Sequence, residues 1–340
     1  MGDDCPQVVA TRGSGARSRG VRLFALALAA VILSPAAVSA AEREIASQPR
    51  PTEVRSYDGI ALFSSWTGSA YRLSISRGGR APETLPLPEQ ASPFDADIGP
   101  DTTGRPTIVV SRCDATRCGL FTQRIGSSTL RPVPATGRTS VRPSIWRDEV
   151  VWVEQSNSRV KPSARLLRRR LTDGARVASR SVPGVPRGGA VEEVELHGRR
   201  VALSTTIDNA GICGTREIRL VDIPKGDFKV IASQICGLNG QNWVGPSFAR
   251  GSLYFARFCA ANASGCGRGS YGAFRYRISD GATALAQFGR FLTGWAYDDA
   301  GRAYEARDPA GDCAFPDQPP PPCTVVRVTG LRFAKARAPR

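Results

Sequence analysis

Residues Thr102–Arg112, TTGRPTIVVSR, join a turn built around Gly104 to a strand of β-branched residues, Thr107 to Val110. Glycine supplies the unusual backbone angles of a tight turn, and Val, Ile and Thr fit a pleated strand. The same plan recurs in YDGIALFSS from Tyr57, WRDEVVWVEQ from Trp146, LHGRRVALSTT from Leu196, ARGSLYFAR from Ala249 and DDAGRAYEAR from Asp298. With Ile60, Ile108, Val150, Val201, Leu253 and Ala303 taken as equivalent, the spacings are 48, 42, 51, 52 and 50 residues.

A second strand follows each unit: AYRLSIS from Ala70, GLFTQRI from Gly119, ARLLRRRLT from Ala164, REIRLVDI from Arg216, GAFRYRIS from Gly272 and TVVRVTG from Thr324. Most alternate apolar and polar residues, the period of a strand with one buried face. No segment after the leader has a clear helical period. Six β-only units of this length fit the blades of a β-propeller, each a four-stranded antiparallel sheet. The expected fold is therefore all-β, a propeller of six blades over residues 53–336. Within a blade the strands are A, innermost, to D. FDADIGP and VEEVEL read as A, the quoted pieces as B and C, and FKVIASQ as D. A seven-bladed ring and a pair of β-sandwiches are the rival architectures, although sandwiches need no 50-residue period. Closure has two routes: EREIASQ near Glu42 completes the last blade, or LRFAKA from Leu331 does.

FDADIGPDTTGRPTIVVSR, Phe94–Arg112, resembles the repeat of secreted WD-like propellers of the TolB type, in which a Ser-Pro-Asp-Gly turn precedes an apolar strand. Gly99-Pro100-Asp101 followed by Gly104 is a lengthened version of that turn. The resemblance is carried mainly by blade two. It implies a protein-binding scaffold and transfers no catalytic residue.

The first 40 residues set the expected compartment. Arg17, Arg19 and Arg22 precede an apolar run from Leu23 to Leu33, and small residues end at Val38-Ser39-Ala40. That is the layout of a secretory signal peptide. The run is short for a bilayer span, which takes about 20 residues. Retention as an anchor is the competing reading. Residues 41–52 then read as a linker and 337–340 as a tail, with no membrane span once the leader is removed. A secreted or cell-envelope location and a monomer are expected. Only four of the 46 basic residues are lysine, a bias expected of a GC-rich, bacterial genome.

The net charge of +16 raises the question of nucleic acid. The basic residues are spread along the chain, however. Their one cluster, RLLRRRL from Arg165, reads as a solvated edge strand whose charges discourage pairing. No nucleic-acid partner is expected. The charge favours an anionic protein or envelope polysaccharide.

Removing the leader removes Cys5 and leaves eight cysteines, an even number that reads as disulfides in an exported chain. The inferred hairpins pair Cys113 with Cys118, Cys213 with Cys236, Cys259 with Cys266 and Cys313 with Cys323. All eight map to the face carrying the B–C and D–A loops. Zinc would need a companion pair close at hand, and His197 is the only histidine, so no metal and no cofactor are expected.

Long loops in a compact domain are usually functional, and stapling them lowers the ordering entropy of binding. Trp66, Tyr71, Asn242, Trp243, Tyr271, Asp308, Asp312 and Asp317 are the candidate partner-binding residues on that face. Blade-to-blade packing is the competing reading for the aromatics, and Trp152, mid-strand, reads as core. No catalytic constellation stands out. The chain lacks Gly-x-Ser-x-Gly and Asp-box repeats, and His197 reads as an exposed histidine of the opposite face. Two functions follow. One is a non-catalytic scaffold that binds a protein or envelope polymer. The other is a carbohydrate-active hydrolase or lyase using the strand-A carboxylates Asp95, Asp97, Glu192, Glu193 and Asp298.

Overall fold

The computed structural model describes residues 40–113, 117–134, 136, 140–156, 163–185, 189–207, 215–235, 241–259, 272–287, 292–307 and 323–336. Its regular elements are all β-strands. The first, β1 (Ala41–Gln48), precedes the six blades. Blade one is β2 (Val54–Tyr57), β3 (Ile60–Trp66), β4 (Tyr71–Arg77) and β5 (Glu83–Thr84). Blade two is β6 (Asp95–Pro100), β7 (Pro106–Cys113), β8 (Cys118–Arg124) and β9 (Arg131–Pro132). Blade three is β10 (Ser140–Trp146), β11 (Glu149–Ser156), β12 (Ser163–Arg170) and β13 (Arg176–Ser181). Blade four is β14 (Ala190–His197), β15 (Arg200–Ile207), β16 (Thr215–Asp222) and β17 (Asp227–Ile235). Blade five is β18 (Gln241–Ala249), β19 (Ser252–Cys259), β20 (Gly272–Arg277) and β21 (Thr283–Gln287). Blade six begins with β22 (Leu292–Tyr297), β23 (Arg302–Arg307) and β24 (Cys323–Thr329), and β25 (Ala334–Lys335) ends the described chain.

All pairings are antiparallel, and the first strand of each blade packs on the first strand of the next around a closed ring: β2, β6, β10, β14, β18, β22 and back to β2. Six blades of the expected kind are therefore present. Closure takes the N-terminal route. β1 pairs with β24 from Ala41 opposite Thr329 to Gln48 opposite Cys323, and becomes the outer strand of blade six. The first part of the span expected as a linker is thus a strand, because Ile45 is buried among Phe63, Tyr304, Ala306 and Val325. Gln48 adds a clasp to blade one: its Nε2 donates to the Ser64 carbonyl at 3.1 Å and its Oε1 accepts from Trp66 N at 3.2 Å. The LRFAKA segment supplies β25 instead, a fifth strand on blade five opposite Ala284 and Leu285.

The apolar core lies in six separate seams, one at each junction between neighbouring blades. Successive residues of a strand point to opposite faces, so each face of a blade serves one neighbour. In β11, Val151 and Val153 face blade four while Val150 and Trp152 face blade two. In β3, Ile60 and Leu62 face blade two while Ala61 and Phe63 face blade six. Strand B is buried on both faces, which explains why it reads as an unbroken apolar run. Trp152, Trp243 and Trp295 are all fully buried in these seams.

The arginine cluster departs from expectation. β12 is an inner strand paired to both β11 and β13, not an edge. Arg168 is buried there; its guanidinium is bound to the Glu149 carboxylate and donates to the Gly198 carbonyl of blade four at 2.7 Å. Arg169 Nη1 donates to the Gly174 carbonyl, and the exposed Arg170 pairs with Asp173. The period-2 geometry sends the first of the three arginines inward, where an acid and a carbonyl bind it.

Candidate functional site

The A strands line the central channel, and their polar side chains bind the next blade along. Asp95 Oδ2 accepts Arg142 N–H at 2.6 Å. Asp97 Oδ2 accepts Ser144 Oγ–H at 2.7 Å and Ile145 N–H at 3.0 Å. Ser144 Oγ in turn accepts Leu196 N–H at 2.8 Å, and Glu193 Oε2 accepts Gly245 N–H at 2.5 Å. Asp298 Oδ2 accepts Gly59 N–H at 3.0 Å. These bonds latch blade two to three, three to four, four to five and six to one. Close approach accompanies them: a Cβ on Gly99 would collide with the Ile145 carbonyl oxygen, and one on Gly245 with that of Trp295.

The channel is crowded with charge. Arg55 is buried, with Nη2 3.6 Å from Glu53 and 3.9 Å from Glu193. Burial pushes the Asp95, Asp97 and Glu195 carboxyls above their usual range, against the pull of Arg142 or Arg55. Burial likewise lifts Glu193 to about 7, helped by Glu53 and opposed by Arg55. The folded state therefore holds a proton on Glu193 at pH values where the unfolded chain has released it. Stability from this group is full below about pH 4.5, the ordinary glutamate range, and is lost as pH rises through about 7. We expect a higher urea midpoint at pH 5 than at pH 8, and a flatter profile across that window in Glu193→Gln. Equal midpoints for the wild type would refute the assignment.

On the face of the B–C and D–A loops the channel opens into a cavity of about 630 Å³ walled by residues of blades one to four. Its wall is the D–A segment Gln90–Phe94 with Ser111, Cys113, Val141, Gln155 and Val191, and its ionisable groups are Glu53, Asp95, Arg142 and Glu192. Four successive blades thus supply one charged side chain each. Arg142 Nη1 lies 3.1 Å from Glu53 and 3.9 Å from Asp95. Its backbone is left-handed, φ 53°, at the bulge between Val141 and Ser144. For a residue with a Cβ that conformation costs on the order of 1 kcal/mol or more, and the Asp95 hydrogen bond to its N–H holds it. Glu192 accepts from Thr206 Oγ1 within its own blade.

Cys113 and Cys118 form a disulfide, opposite each other at the end of the β7–β8 hairpin with Cα atoms 3.9 Å apart. Cys113 walls both this cavity and a neighbouring one of about 490 Å³ that includes Arg112, Phe121 and Leu130. Losing so short a crosslink, as in Cys113→Ser, is expected to remove about 2 kcal/mol of stability in the chain-entropy account, read as a lower urea midpoint with unchanged slope. Cys323 is also disulfide-bonded. Cys213, Cys236, Cys266 and Cys313 lie outside the described residues, and Cys259 is described only as the last position of β19.

The candidate partner-binding residues divide. Tyr71 is 4% and Trp243 2% exposed; they pack in seams, Trp243 edge-on to Phe255 and Phe274, rather than lining a surface. Trp66 stays half-exposed at the loop face, beside Tyr71 and under the Arg50 guanidinium. Asn242 is placed as a backbone position of β18, while Tyr271, Asp308, Asp312 and Asp317 lie outside the described residues. His197 is on the opposite face as expected, but it is half-buried between Trp146 and Phe248, at ring distances of 3.9 and 5.5 Å. Burial pushes its imidazole down. Glu53, Arg142 and Glu195 were not singled out by sequence. The available signal was the persistence of charge inside strands otherwise apolar, as in VEEVEL.

Among the described residues there is no cluster of metal-ligating side chains, and no helix is long and apolar enough to cross a membrane. The geometry defines a six-bladed β-propeller with a charged channel opening on its stapled face. No family model matches the sequence, and no curated protein does. Solved structures are similar in fold. TolB from Acinetobacter baumannii aligns at TM-score 0.50 and 13% identity over 83% of this chain and 67% of that one. An acylaminoacyl peptidase bound to a chloromethyl ketone gives 0.49 and 10% over 83% and 52%, and an oligogalacturonate lyase in complex with manganese gives 0.49 and 10% over 81% and 86%. The chain spans about half the length of the acylaminoacyl peptidases it matches. The chain is thus a propeller whose fold is like that of TolB.

Proposed function

We propose that this chain is an exported, non-catalytic propeller that binds a protein or cell-envelope polymer at the mouth of its channel. The observation that carries the reading is the way the channel carboxylates are engaged. Asp95, Asp97 and Glu193 each accept a backbone N–H of the neighbouring blade, an arrangement that fixes the scaffold. The cavity on the stapled face offers a recess of ligand size. The leader-like segment and the disulfides support an extracytoplasmic location.

The test is capture from the envelope fraction of the source cell with the mature protein, comparing wild type with Ser92→Trp/Gln155→Trp, which fills the mouth. Loss of the same captured species in the filled variant supports the reading, and undiminished capture overturns it. A second reading, a carbohydrate-active hydrolase or lyase, rests on Asp95, which lines the cavity with its carboxyl held above the ordinary range by burial. A glycan-hydrolysis screen separates the two: turnover abolished by Asp95→Asn favours the enzyme.

A further inference from the structure

We infer that the Cys113–Cys118 bridge is a thiol–disulfide exchange site that takes a small anionic thiol. The described bridged cysteines differ in access. Cys323 is 3% exposed. Cys113 is exposed and Cys118 half-buried, and both stand on the wall of the cavity of about 490 Å³. Exchange begins when a thiolate reaches one of the two sulfurs, so access decides which bridge reacts. The volume beside this bridge is that of a small-molecule pocket.

The same cavity is cationic. Among the described residues that wall it, the charged side chains are Arg112 and Arg117, each the chain neighbour of a bridged cysteine. Positive charge draws an anionic thiolate in and stabilises the thiolate that leaves. Phe121, Leu130 and Pro132 give the rest of the thiol an apolar wall. The exposed Cys113 sulfur is the one attacked. A bond forms between the incoming sulfur and Cys113 Sγ as the Sγ–Sγ bond breaks, and the electron pair of that bond leaves on Cys118 as a thiolate. One disulfide and one thiolate stand on each side of the step, so it needs no oxidant or reductant, and the reverse attack by Cys118 reseals the bridge. Opening the bridge leaves the hairpin paired, because the β7–β8 ladder runs without a shift from Thr107 opposite Arg124 to Arg112 opposite Gly119. Cys113 also walls the channel mouth, so the adduct stands at the edge of that cavity.

The test uses the mature protein and two probes, 2-mercaptoethanesulfonate, which is anionic, and cysteamine, which is cationic. They are compared at equal thiolate concentration and low salt. Acid quenching with peptide mass mapping locates the adduct, and intrinsic fluorescence shows whether the fold persists. The sulfonate should form a mixed disulfide at Cys113 roughly tenfold faster than cysteamine. Arg112→Gln/Arg117→Gln should bring the two rates close together. Arg170→Gln/Arg277→Gln removes the same charge from two exposed side chains of the opposite face and should leave the ratio unchanged. No adduct on the folded protein, an adduct that forms first at another cysteine, equal rates for the two probes, or an equal fall of the ratio in both arginine pairs overturns the inference. Envelope capture through the mouth is a separate measurement, and its outcome does not depend on this one.

Discussion

Deletion of residues 41–48 should abolish cooperative unfolding of the propeller at ordinary temperature. The deletion strips the outer strand from blade six, leaving the whole edge of β24 open to solvent. It also exposes the seam where Ile45 packs on Phe63, Tyr304 and Val325, and it removes the Gln48 clasp to blade one. Glu42, which pairs with Arg307 at 2.9 Å, goes with it. Loss of the ladder hydrogen bonds, the opened seam and the unclosed ring fall on a fold whose total stability is only about 5–15 kcal/mol. Differential scanning calorimetry of the deletion should show no sharp transition, and a synthetic peptide of residues 41–48 added in trans should restore part of it. An unchanged transition would mean that the ring closes without this strand.

The second large effect is expected at Asp97. Its carboxylate sits 2% exposed and holds both the Ser144 hydroxyl and the Ile145 N–H of blade three, and Ser144 passes the connection on to Leu196 of blade four. Asp97→Ala leaves a buried N–H and a buried hydroxyl without their acceptor, an expected loss of roughly 2–4 kcal/mol. Asp97→Asn keeps one acceptor oxygen and should lose about 1 kcal/mol. Urea titrations that rank alanine far below asparagine support a latch. Equal effects of the two would show that the charge, and not the hydrogen bonds, is what the site requires.

Much of the architecture is legible in the sequence because it depends on local pattern. The turn-plus-strand repeat, the alternating C strands and the spacing of Ile60, Ile108 and Val150 correspond to blades one after another. The hairpin of Cys113 and Cys118 was legible for the same reason: a four-residue turn brings strand ends together. What the sequence conceals is contact between blades. Nothing near Gln48 announces that it will clasp Trp66, and nothing in RLLRRRL says which arginine turns inward to Glu149. Trp243 carried a surface reading because a loop precedes it, and yet the β18 strand turns its ring into the seam with blade four. The mouth cluster of Glu53, Asp95, Arg142 and Glu192 is dispersed over 140 positions of sequence and meets only because the ring closes.

The stapled face is proposed to be the working face. A photo-crosslinking amino acid at Gln155, at the mouth, tests it against the same residue at Thr103, in the exposed turn of the opposite face. Irradiation of intact cells should give a discrete adduct from position 155 and none from 103. Adducts from 103 alone would place the working face at the other end of the channel and contradict the account.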